Sequence, residues 1–513
     1  MGERLARTVM VQGTASDVGK SILVTALCRI LRQEGYRVAP FKSQNMALNA
    51  AVTIGYGADG EHGGGEIGRS QAEQARAAGI EPTVDMNPIL LKPEAGMRSQ
   101  VIVRGKVWRT LPWREYYRHR AELLTVIEQS LAALRREYDV VVIEGAGSPA
   151  EINLRAGDIV NMRIAALADA PVLLVGDIDR GGVFAALLGT MELLEPDERA
   201  RVKGLIVNKF RGDASLLGSA LDFIAARTGV PVLGMIPYLP DIGIAAEDSV
   251  VLDHPVAYEG TPLLDIAVIH LARMSNFDDF DPLAAEPGVR VRFVRDVAAL
   301  GTPDLLILPG TKTTIPDLIA LREHGLDRAI VALARAGTPI IGVCGGLQLL
   351  GETIADPHGI ESDVRAVAGL GLLPLRTTLA ATKRTERARG TLVADHGLFA
   401  GAAGLSAVGY EIHLGETSGA VPPLLRLAER QGRAVDEPDG AIGGDGWLAG
   451  TYLHGFFDSP PLRGAILRNL AARKGVASHP DWGRAPRHDP FDRLAAHVRD
   501  HLDMAQLRAI IGL

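Results

Sequence analysis

Cys344 stands in a sequence setting typical of a catalytic nucleophile. It follows the apolar stretch Pro339–Val343, with a glycine two positions before it and a pair of glycines directly after it. Glycines around a nucleophile permit the sharp strand-to-helix turn that exposes its side chain, and the N-terminus of the following helix favours the thiolate. The other cysteine, Cys28, lies among apolar residues of a predicted helix, as a buried and inert thiol does. Cys344 is therefore the predicted nucleophile.

A nucleophilic cysteine needs a general base, and two downstream histidines are candidates. His454 ends an apolar stretch in Gly450-Thr-Tyr-Leu-His454-Gly, and His413 lies in Gly409-Tyr-Glu-Ile-His413. We expect His454 to be the base and His413 to have a structural or substrate-contact role.

Backbone N–H groups near the nucleophile could stabilise a tetrahedral oxyanion. The candidates are Gly310, in Leu308-Pro-Gly310-Thr-Lys312, and Gly345, and Gln348 is a candidate for glutamine binding. A thiolate, a base and an oxyanion site together predict nucleophilic attack on an amide carbonyl, which releases ammonia when the amide is a primary one such as the glutamine side chain.

A second chemical motif, a phosphate-binding loop, stands near the start of the chain. Its sequence, Gly13-Thr-Ala-Ser-Asp-Val-Gly19-Lys20-Ser21, lies between a predicted strand and a predicted helix and is one residue longer than the standard motif. The glycines let backbone N–H groups turn toward phosphate oxygens, and the helix N-terminus adds partial positive charge. Lys20 would reach the terminal phosphates of ATP, and the Ser21 hydroxyl would ligate Mg²⁺. The predicted nucleotide-binding residues are Gly13, Thr14, Ser16, Gly19, Lys20, Ser21 and Asn208.

Further polar residues of the first half are candidates for the same site. Lys42 ends a predicted strand at the carboxyl edge, where such sheets bind ligands, and could contact a phosphate or a substrate carboxylate. Glu144, after the strand Asp139–Ile143, could hold Mg²⁺ or its water, and Glu66 is another metal candidate. Asn208 could read the adenine edge through its amide. Taken alone, Lys42 also fits a solvated lysine, Glu66 a carboxylate at a helix N-terminus, and Asn208 a turn.

The elements that must position these residues follow an alternating pattern. In the first half the predicted helices are Ser21–Glu34, Ala121–Arg136 and Ala214–Arg227, and the predicted strands are Thr8–Gln12, Arg37–Phe41, Asp139–Ile143, Pro171–Val175, Lys203–Val207 and Pro231–Gly234. Buried strands joined by crossovers imply a P-loop-type, doubly wound parallel sheet. A second alternating series has strands at Leu264–His270, Val289–Val294, Asp304–Leu308 and Pro339–Val343.

The two series predict two α/β domains. Turn-forming residues in Asp253–Pro262 mark the junction, so the predicted domains are 1–255, an ATP-dependent synthetase domain, and 262–513, a glutaminase domain. The last stretch, Pro460–Leu513, is predicted to be a helical C-terminal cap of the second domain. The glycine-rich stretch Gly55–Gly65 is predicted to be a mobile loop.

Composition narrows the class of protein. The 513 residues exceed what one hydrophobic core usually supports, and the net charge of −7 without a long basic block argues against nucleic-acid binding. Two cysteines exclude a disulfide framework and a thiolate metal site. There is no secretory pattern and no stretch of ~20 apolar residues, so we expect a soluble, cytoplasmic protein with no membrane partner. The sequence leaves the oligomeric state open, a homo-oligomer included.

Taken in chain order, these motifs resemble those of the cobyric acid synthases of cobalamin biosynthesis over nearly the whole chain. The first half is also similar to dethiobiotin synthetase, and the second to the triad-type, class I glutamine amidotransferases. The matching motifs are Gln12-Gly-Thr-Ala-Ser-Asp-Val-Gly-Lys-Ser21, Phe41-Lys-Ser-Gln-Asn-Met-Ala-Leu-Asn49, Glu66-Ile-Gly-Arg-Ser-Gln71, Glu144-Gly-Ala-Gly-Ser-Pro149, Asp177-Ile-Asp-Arg-Gly-Gly182, Gly409-Tyr-Glu-Ile-His413 and Gly450-Thr-Tyr-Leu-His-Gly455.

The resemblance implies a substrate and a reaction. The family amidates the b, d, e and g carboxylates of adenosylcobyrinic acid a,c-diamide, with L-glutamine as the ammonia source and ATP and Mg²⁺ as cofactors. The cobalt then arrives within the corrinoid substrate. Activation of each carboxylate as an acyl phosphate fits the phosphate-binding loop.

The chain departs from the expected pattern at three points, one of which is a Gly55–Gly65 loop longer than that of the family. Ser43 stands where the family is expected to have proline. His454 is followed by Gly-Phe-Phe-Asp and not by the His-x-Glu pattern of many related glutaminases, so the orienting acid of a triad is unidentified and a Cys–His dyad is an alternative.

Three other functions remain as alternatives. A sister enzyme, which amidates the a and c carboxylates of cobyrinic acid, has the same two-part plan, but the segments Gln44–Asn49 and Gly409–His413 favour cobyric acid synthase. A partitioning-type ATPase switch with an inert glutaminase-like domain predicts no intact nucleophile turn and no downstream histidine. A glutamine-binding regulator without synthetase activity would not need both Lys20 and Cys344.

Overall fold

The computed structural model describes residues 5–54, 64–94, 97–240, 242–244, 258, 260–485 and 488–513. Most of the Gly55–Gly65 stretch and of the predicted junction Asp253–Pro262 lies outside these residues. The chain divides into two compact units. The first unit comprises Met1–Ala47, Glu66–Glu247 and Arg487–Leu513, and the second comprises Leu48–Gly65 and Asp248–Pro486.

The strands are β1 (Arg7–Gly13), β2 (Val38–Phe41), β3 (Gln44–Met46), β4 (Ala50–Val52), β5 (Glu66–Gly68), β6 (Ile89–Glu94), β7 (Arg98–Val103), β8 (Lys106–Pro112), β9 (Val140–Glu144), β10 (Val172–Asp177), β11 (Val202–Phe210), β12 (Val232–Pro237), β13 (Leu264–Ile269), β14 (Val289–Val294), β15 (Leu305–Leu308), β16 (Ile340–Val343), β17 (Thr353–Ala355), β18 (Ala366–Ala368), β19 (Leu375–Leu392), β20 (Ser406–Gly419), β21 (Leu425–Arg430), β22 (Arg433–Asp439), β23 (Ala441–Ile442) and β24 (Leu448–Thr451). The helices are α1 (Lys20–Gln33), α2 (Arg69–Ala78), α3 (Trp113–Tyr116), α4 (Arg120–Glu137), α5 (Met162–Ala168), α6 (Val183–Leu193), α7 (Pro196–Arg199), α8 (Gly218–Thr228), α9 (Asp281–Ala284), α10 (Val297–Leu300), α11 (Thr314–Glu323), α12 (Leu326–Arg335), α13 (Gly345–Leu350), α14 (Pro460–Lys474), α15 (Pro490–Arg499) and α16 (Met504–Ile511).

The first unit is built on a parallel sheet in the order β12-β11-β10-β1-β9-β2. Helices α4, α5 and α6 pack on one face of this sheet, and α1, α15 and α16 pack on the other. Strands covered on both faces need apolar side chains on both sides, which explains the nearly continuous β-branched stretches in the sequence. The predicted doubly wound sheet is confirmed, strand for strand.

A smaller sheet, in the order β3-β6-β7-β8, also belongs to the first unit and was not predicted from the sequence. Strand β3 runs parallel to β6, and β6, β7 and β8 form antiparallel hairpins. Strand β8 leads directly into α3, which carries the exposed Trp113 and the buried Tyr116. The hairpin sheet therefore holds an aromatic segment in place.

The C-terminal helices correct the predicted boundary of 262–513, because residues from Arg487 onward belong to the first unit. The apolar face of α15 and α16 packs into the core that includes α1. Arg29 of α1 also pairs with Asp489 at 2.5 Å and Asp492 at 2.7 Å. An amphipathic pair of helices buries its apolar face wherever a complementary face exists, and here α1 supplies it.

The second unit contains another mainly parallel sheet, in the order β14-β13-β15-β16-β24-β23, with β23 antiparallel to β24. The four strands predicted in this half are β13, β14, β15 and β16. The neighbouring carboxyl ends of β16 and β24 bring Cys344 and His454 to the same edge. The predicted pair of α/β domains is thus confirmed.

A second sheet of this unit, formed by β17 to β22, is mostly antiparallel and was not predicted. Its longest strands, β19 and β20, form a hairpin. Tyr410 of β20 also forms an isolated antiparallel bridge with His454. In the described ranges, no helix combines the length and the apolar content that crossing a membrane requires.

Candidate active sites

Cys344 occupies a strained turn between β16 and α13. Its backbone has φ 52° and ψ −110°, a region that non-glycine residues rarely adopt. The adjacent glycines make the turn sterically feasible, because a Cβ on Gly346 would lie 1.9 Å from the Leu308 carbonyl oxygen and one on Gly342 would lie 2.6 Å from that of Gly346. The structure therefore contains the nucleophile turn that the glycine pattern predicted.

His454 is held by a carboxylate that sequence reasoning missed. Its Nδ1 lies 2.7 Å from Oδ2 of Asp279, and Oδ1 of Asp279 accepts a hydrogen bond from the Gly455 N–H at 2.9 Å. Both side chains are buried. Because a carboxylate only accepts, the bond places a proton on Nδ1 and leaves Nε2 to exchange protons.

The charge state of His454 follows from its surroundings. Burial alone lowers the pKa of the ring, but the Asp279 carboxylate and the Cys344 sulfur together raise it to about 10. A pKa of about 10 makes the ring an imidazolium at neutral pH. Its Nε2 makes no hydrogen bond of normal geometry within the described part of the chain.

Asp279 was difficult to find in the sequence because it lies far upstream of His454. It belongs to a short, fully buried 3₁₀ turn, Phe277–Phe280. The available signal was an acidic pair enclosed by phenylalanines, since buried carboxylates are rare unless paired. That signal names no partner, and the dyad left open by the sequence is in the structure a Cys–His–Asp set.

The predicted oxyanion residues lie beside this set. A Cβ on Gly310 would lie 2.9 Å from Cε1 of His454, and one on Gly345 would lie 2.8 Å from the Thr311 side chain. The Gly310–Thr311 segment therefore contacts both the base and the residue after the nucleophile. The structure brings together Cys344, His454, Gly310 and Gly345, as the sequence pattern predicted.

Both polar atoms of the Gln348 side-chain amide are hydrogen-bonded within the second unit. Its Oε1 accepts from the Thr314 hydroxyl at 2.8 Å, and its Nε2 donates to the Leu414 carbonyl at 3.0 Å and to the Tyr452 hydroxyl at 3.1 Å. These bonds tie α13 to α11 and β20. A direct contact of Gln348 with glutamine stays a prediction.

Strand β20 runs along the nucleophile and the base. The Ile412 carbonyl oxygen lies 3.5 Å from Sγ of Cys344, and the Tyr410 ring stacks on His454 with centroids 5.3 Å apart. His413 is turned away into the unit, where it stacks on Tyr452 at 3.9 Å and burial lowers its pKa. This packing agrees with a structural role for His413.

The phosphate-binding loop of the first unit joins β1 to α1. Gly19 has φ 95°, and a Cβ on Gly13 would lie 2.5 Å from the Val18 side chain, so the loop needs both glycines. The Lys20 ammonium donates to the carbonyls of Ala15 at 2.8 Å and Gly147 at 3.2 Å. These contacts point the lysine across the loop, where phosphates would lie.

Glu144 is the centre of a buried cluster next to this loop. Its Oε1 accepts from the Ser21 hydroxyl and from the Lys42 ammonium, each at 2.8 Å, and its Oε2 accepts from the Gln74 amide at 2.5 Å. The structure thus brings Ser21, Lys42 and Glu144 together as predicted, and it adds Gln74. Glu66 instead forms a buried ion pair with Lys92.

Asn208 contacts the far end of the same loop. Its Nδ2 donates to the Val18 carbonyl at 2.8 Å, and it is close enough to Gly19 to exclude a Cβ there. The neighbouring Lys209 donates to the Asp17 carbonyl and pairs with Asp177 at 3.1 Å. Asn208 therefore supports the loop, and its predicted contact with adenine stays a prediction.

Ser21 and Glu144 could supply part of the coordination of a magnesium ion. Among the described residues, no group of three or more His, Cys, Asp or Glu side chains could hold a metal by itself. Ser21 and Glu144 nevertheless present two oxygen ligands 2.8 Å apart, and Mg²⁺ in nucleotide sites takes its remaining ligands from phosphates and water. The ion pair of Glu66 with Lys92 satisfies that carboxylate without a metal.

Together, the fold and the two sites define a glutamine amidotransferase joined to a P-loop nucleotide-binding domain. Residues 9–251 match the family model described as the CobQ/CobB/MinD/ParA nucleotide binding domain, and residues 265–462 match the CobB/CobQ-like glutamine amidotransferase domain. Such a chain is a glutamine-hydrolysing ligase that binds ATP.

Curated relatives extend over the whole chain. A cobyric acid synthase of Dehalococcoides mccartyi (strain CBDB1) is 53% identical over 99% of this chain and 99% of its own. One of Moorella thermoacetica is 50% identical over 99% of this chain and 98% of its own, and one of Sorangium cellulosum is 52% identical over 99% of each. The chain belongs to the cobyric acid synthase family.

Proposed function

We propose that the protein converts adenosylcobyrinic acid a,c-diamide to adenosylcobyric acid by amidating its b, d, e and g carboxylates. ATP would activate each carboxylate, and glutamine would supply ammonia. The observation that carries this proposal is the buried Cys344–His454–Asp279 set in a chain that also holds the Lys20 loop. The names of the full-length relatives support the choice of a corrinoid substrate.

In the glutaminase half, Cys344 and His454 would act as a thiolate–imidazolium pair. The Cys344 sulfur attacks the side-chain carbonyl of glutamine, and the N–H of Gly345, beside Gly310, donates to the oxyanion. His454 gives its Nε2 proton to the departing nitrogen, so that ammonia leaves and a thioester remains. His454 then takes a proton from water, the hydroxide attacks the thioester, and glutamate is released as the thiolate re-forms. Asp279 holds the ring orientation throughout.

In the synthetase half, a carboxylate must first become a better electrophile, because oxide is a very poor leaving group. A carboxylate oxygen of the substrate attacks the γ-phosphorus of ATP, and ADP leaves. Lys20 neutralises charge on the transferring phosphoryl group. Ser21 and Glu144 would hold Mg²⁺, which screens the phosphate charges. Ammonia then attacks the acyl phosphate, and phosphate departs as the amide forms.

Lys42 has a particular place in this proposal. Its ammonium is paired with Glu144 at 2.8 Å and is almost fully buried. If Glu144 turns its oxygens toward a metal ion, the Lys42 ammonium becomes able to pair with an incoming anion. A cation in that place could neutralise either a phosphate or the incoming carboxylate.

The decisive measurement is the mass of the corrinoid after incubation with ATP and glutamine. We expect four amidations by the wild-type protein and none by Cys344→Ala unless free ammonia is supplied. Cys28→Ala is the matched control, because Cys28 is the other cysteine, is buried, and its pKa is raised by burial. We expect this variant to behave like the wild type.

Other outcomes would overturn the proposal in distinct ways. Turnover of cobyrinic acid but not of its a,c-diamide would identify the sister enzyme. ATP hydrolysis without turnover of either corrinoid would favour the ATPase switch. Glutamine-dependent amidation by Cys344→Ala would remove Cys344 from the mechanism.

A further inference from the structure

A cavity of about 440 Å³ opens beside the phosphate-binding loop of the first unit. Its lining includes Thr14, Ala15 and Ser16 of the loop and Gly147 of the segment after β9. The Lys20 ammonium bonds to two of these same residues, at the carbonyls of Ala15 and Gly147. The cavity therefore adjoins the place where Lys20 would meet the terminal phosphate of ATP.

Aromatic side chains form another part of its lining. Trp113 and Tyr117 meet edge to face with centroids 5.0 Å apart, and Trp113 is 38% exposed. Tyr116 lies on the same turn as Trp113. Its hydroxyl donates a hydrogen bond to the Gln44 side chain and fixes that turn. Pocket walls that combine exposed aromatic rings with a few polar groups are typical of small-molecule sites.

Arg120 adds positive charge next to these rings. Its guanidinium carbon lies 3.5 Å from the centre of the Tyr117 ring, and its Nε–H is buried without a hydrogen-bond partner among the described residues. Met46 and Leu154, 44% and 39% exposed, supply apolar surface to the same cavity. The lining thus offers flat aromatic, apolar and cationic contacts at one place.

We propose that this cavity binds the carboxylate substrate, a corrinoid, by one edge of its macrocycle. Trp113 and Tyr117 would contact the flat apolar ring, Arg120 would pair with a peripheral carboxylate, and the carboxylate to be amidated would lie at Thr14–Ser16. This inference rests on the proposed function. The macrocycle with its side chains is bulkier than the cavity, so only one edge enters, and a multiply amidated product requires repeated presentation of different edges.

The adenine of ATP is the competing occupant, because bases also stack on aromatic rings. The predicted adenine residue, Asn208, contacts the loop at Val18 and Gly19, at the end next to α1. The cavity is lined instead by Thr14–Ser16, next to β1, and by the segment after β9. This separation along the loop favours the carboxylate substrate over adenine.

The test is equilibrium dialysis of adenosylcobyrinic acid a,c-diamide, followed by its visible absorbance, without ATP or glutamine. We expect Trp113→Ala and Arg120→Ala each to weaken binding about tenfold and to raise the corrinoid KM similarly, as lost stacking and charge contacts do. The KM values for ATP and glutamine should stay the same. Arg109→Ala is the matched control, since Arg109 lies 4.6 Å over the Trp108 ring and does not line the cavity.

Further measurements keep the two proposals distinguishable. In the wild-type protein, backbone hydrogen exchange of residues 113–120 should slow when the corrinoid is added and should not slow when ATP is added. This measurement uses the wild type alone, so it does not depend on whether a variant folds. If the wild type fails to bind the corrinoid, the proposed function itself is wrong. If it binds and turns over the corrinoid, but the variants are unaltered or change only the ATP KM, the cavity assignment is wrong. Arg120→Lys should retain part of the affinity, because it keeps the charge.

Discussion

The two active sites differ in how their charges are balanced before any ligand arrives. In the second unit, Cys344, His454 and Asp279 are 4%, 0% and 2% exposed, and they lie in the arrangement that their proposed roles of nucleophile, base and orienting acid require. In the first unit, Lys20 is bonded to backbone carbonyls and Glu144 to Ser21, Lys42 and Gln74. Under the proposed function, the glutaminase site is preorganised, whereas the phosphate site must exchange its partners when nucleotide binds.

This difference has a physical reason. A covalent mechanism needs the attacking atom and the proton donor in fixed geometry, and a strained, glycine-supported turn supplies it. A phosphate site must release its ligand after every cycle, so interim hydrogen bonds satisfy its buried charges between cycles. The following predictions test each half of the comparison.

The largest expected effect is that of Asp279→Asn on glutamine hydrolysis. An amide in this position removes the charge that holds His454 as imidazolium and orients its ring, so glutaminase kcat should fall about 10³- to 10⁴-fold. Amidation with free ammonia should persist. The matched control is Asp281→Asn, an exposed carboxylate of the same segment, which should leave the rate unaltered. If Asp279→Asn retained glutaminase activity, the site would act as a Cys–His dyad and not as a Cys–His–Asp set.

Lys20→Ala should produce the opposite pattern. Loss of a preorganised cation at the phosphoryl group should lower amidation about 10²- to 10³-fold, with glutamine and with ammonia alike. Glutamate release, measured separately, should stay at the wild-type level per Cys344 site. Ammonia-dependent amidation at the normal rate would show that Lys20 does not contact the transferring phosphate.

Gly346→Ala tests how far the nucleophile turn depends on close packing. The added Cβ would lie 1.9 Å from the Leu308 carbonyl oxygen, so backbone must move. We expect the free energy of unfolding of the second unit to fall by about 3 kcal/mol, with loss of glutaminase. Gly444→Ala is the control, because nothing lies within 4 Å of its Cβ, and it should alter stability by less than about 0.5 kcal/mol.

The smallest expected effect concerns pH. His454 has a pKa of about 10 in the folded chain, above its unfolded value near 6.5. The contribution of the charged His454 to the stability of the folded state is therefore fully present below about pH 6.5 and is lost as the pH rises through about 10. The difference in melting temperature between wild type and Asp279→Asn should be largest near pH 6 and shrink by pH 10. A difference that grows with pH would contradict the imidazolium assignment.

Local patterns carried much of the fold and part of both sites. The phosphate-binding loop, the glycine-flanked Cys344 and the strands of the parallel sheets depend on backbone geometry and on periodicity within a few residues, which a single sequence displays. These features could be predicted because the physical constraint and its sequence signal are adjacent in the chain. The pairing of His454 with Cys344 was expected because a nucleophilic cysteine needs a base, whereas the strand order that places them together is seen only in the structure.

Tertiary structure decided the remainder. Asp279 reaches His454 across 175 positions, and Gln74 reaches Glu144 across 70, so no local pattern pairs them. The placement of α15 and α16 on α1, and the hairpin sheet that holds Trp113 beside the phosphate loop, likewise depend on which apolar faces meet. Burial of an apolar face is not directional, so the sequence determines that these helices must pack, and only the folded chain determines against what.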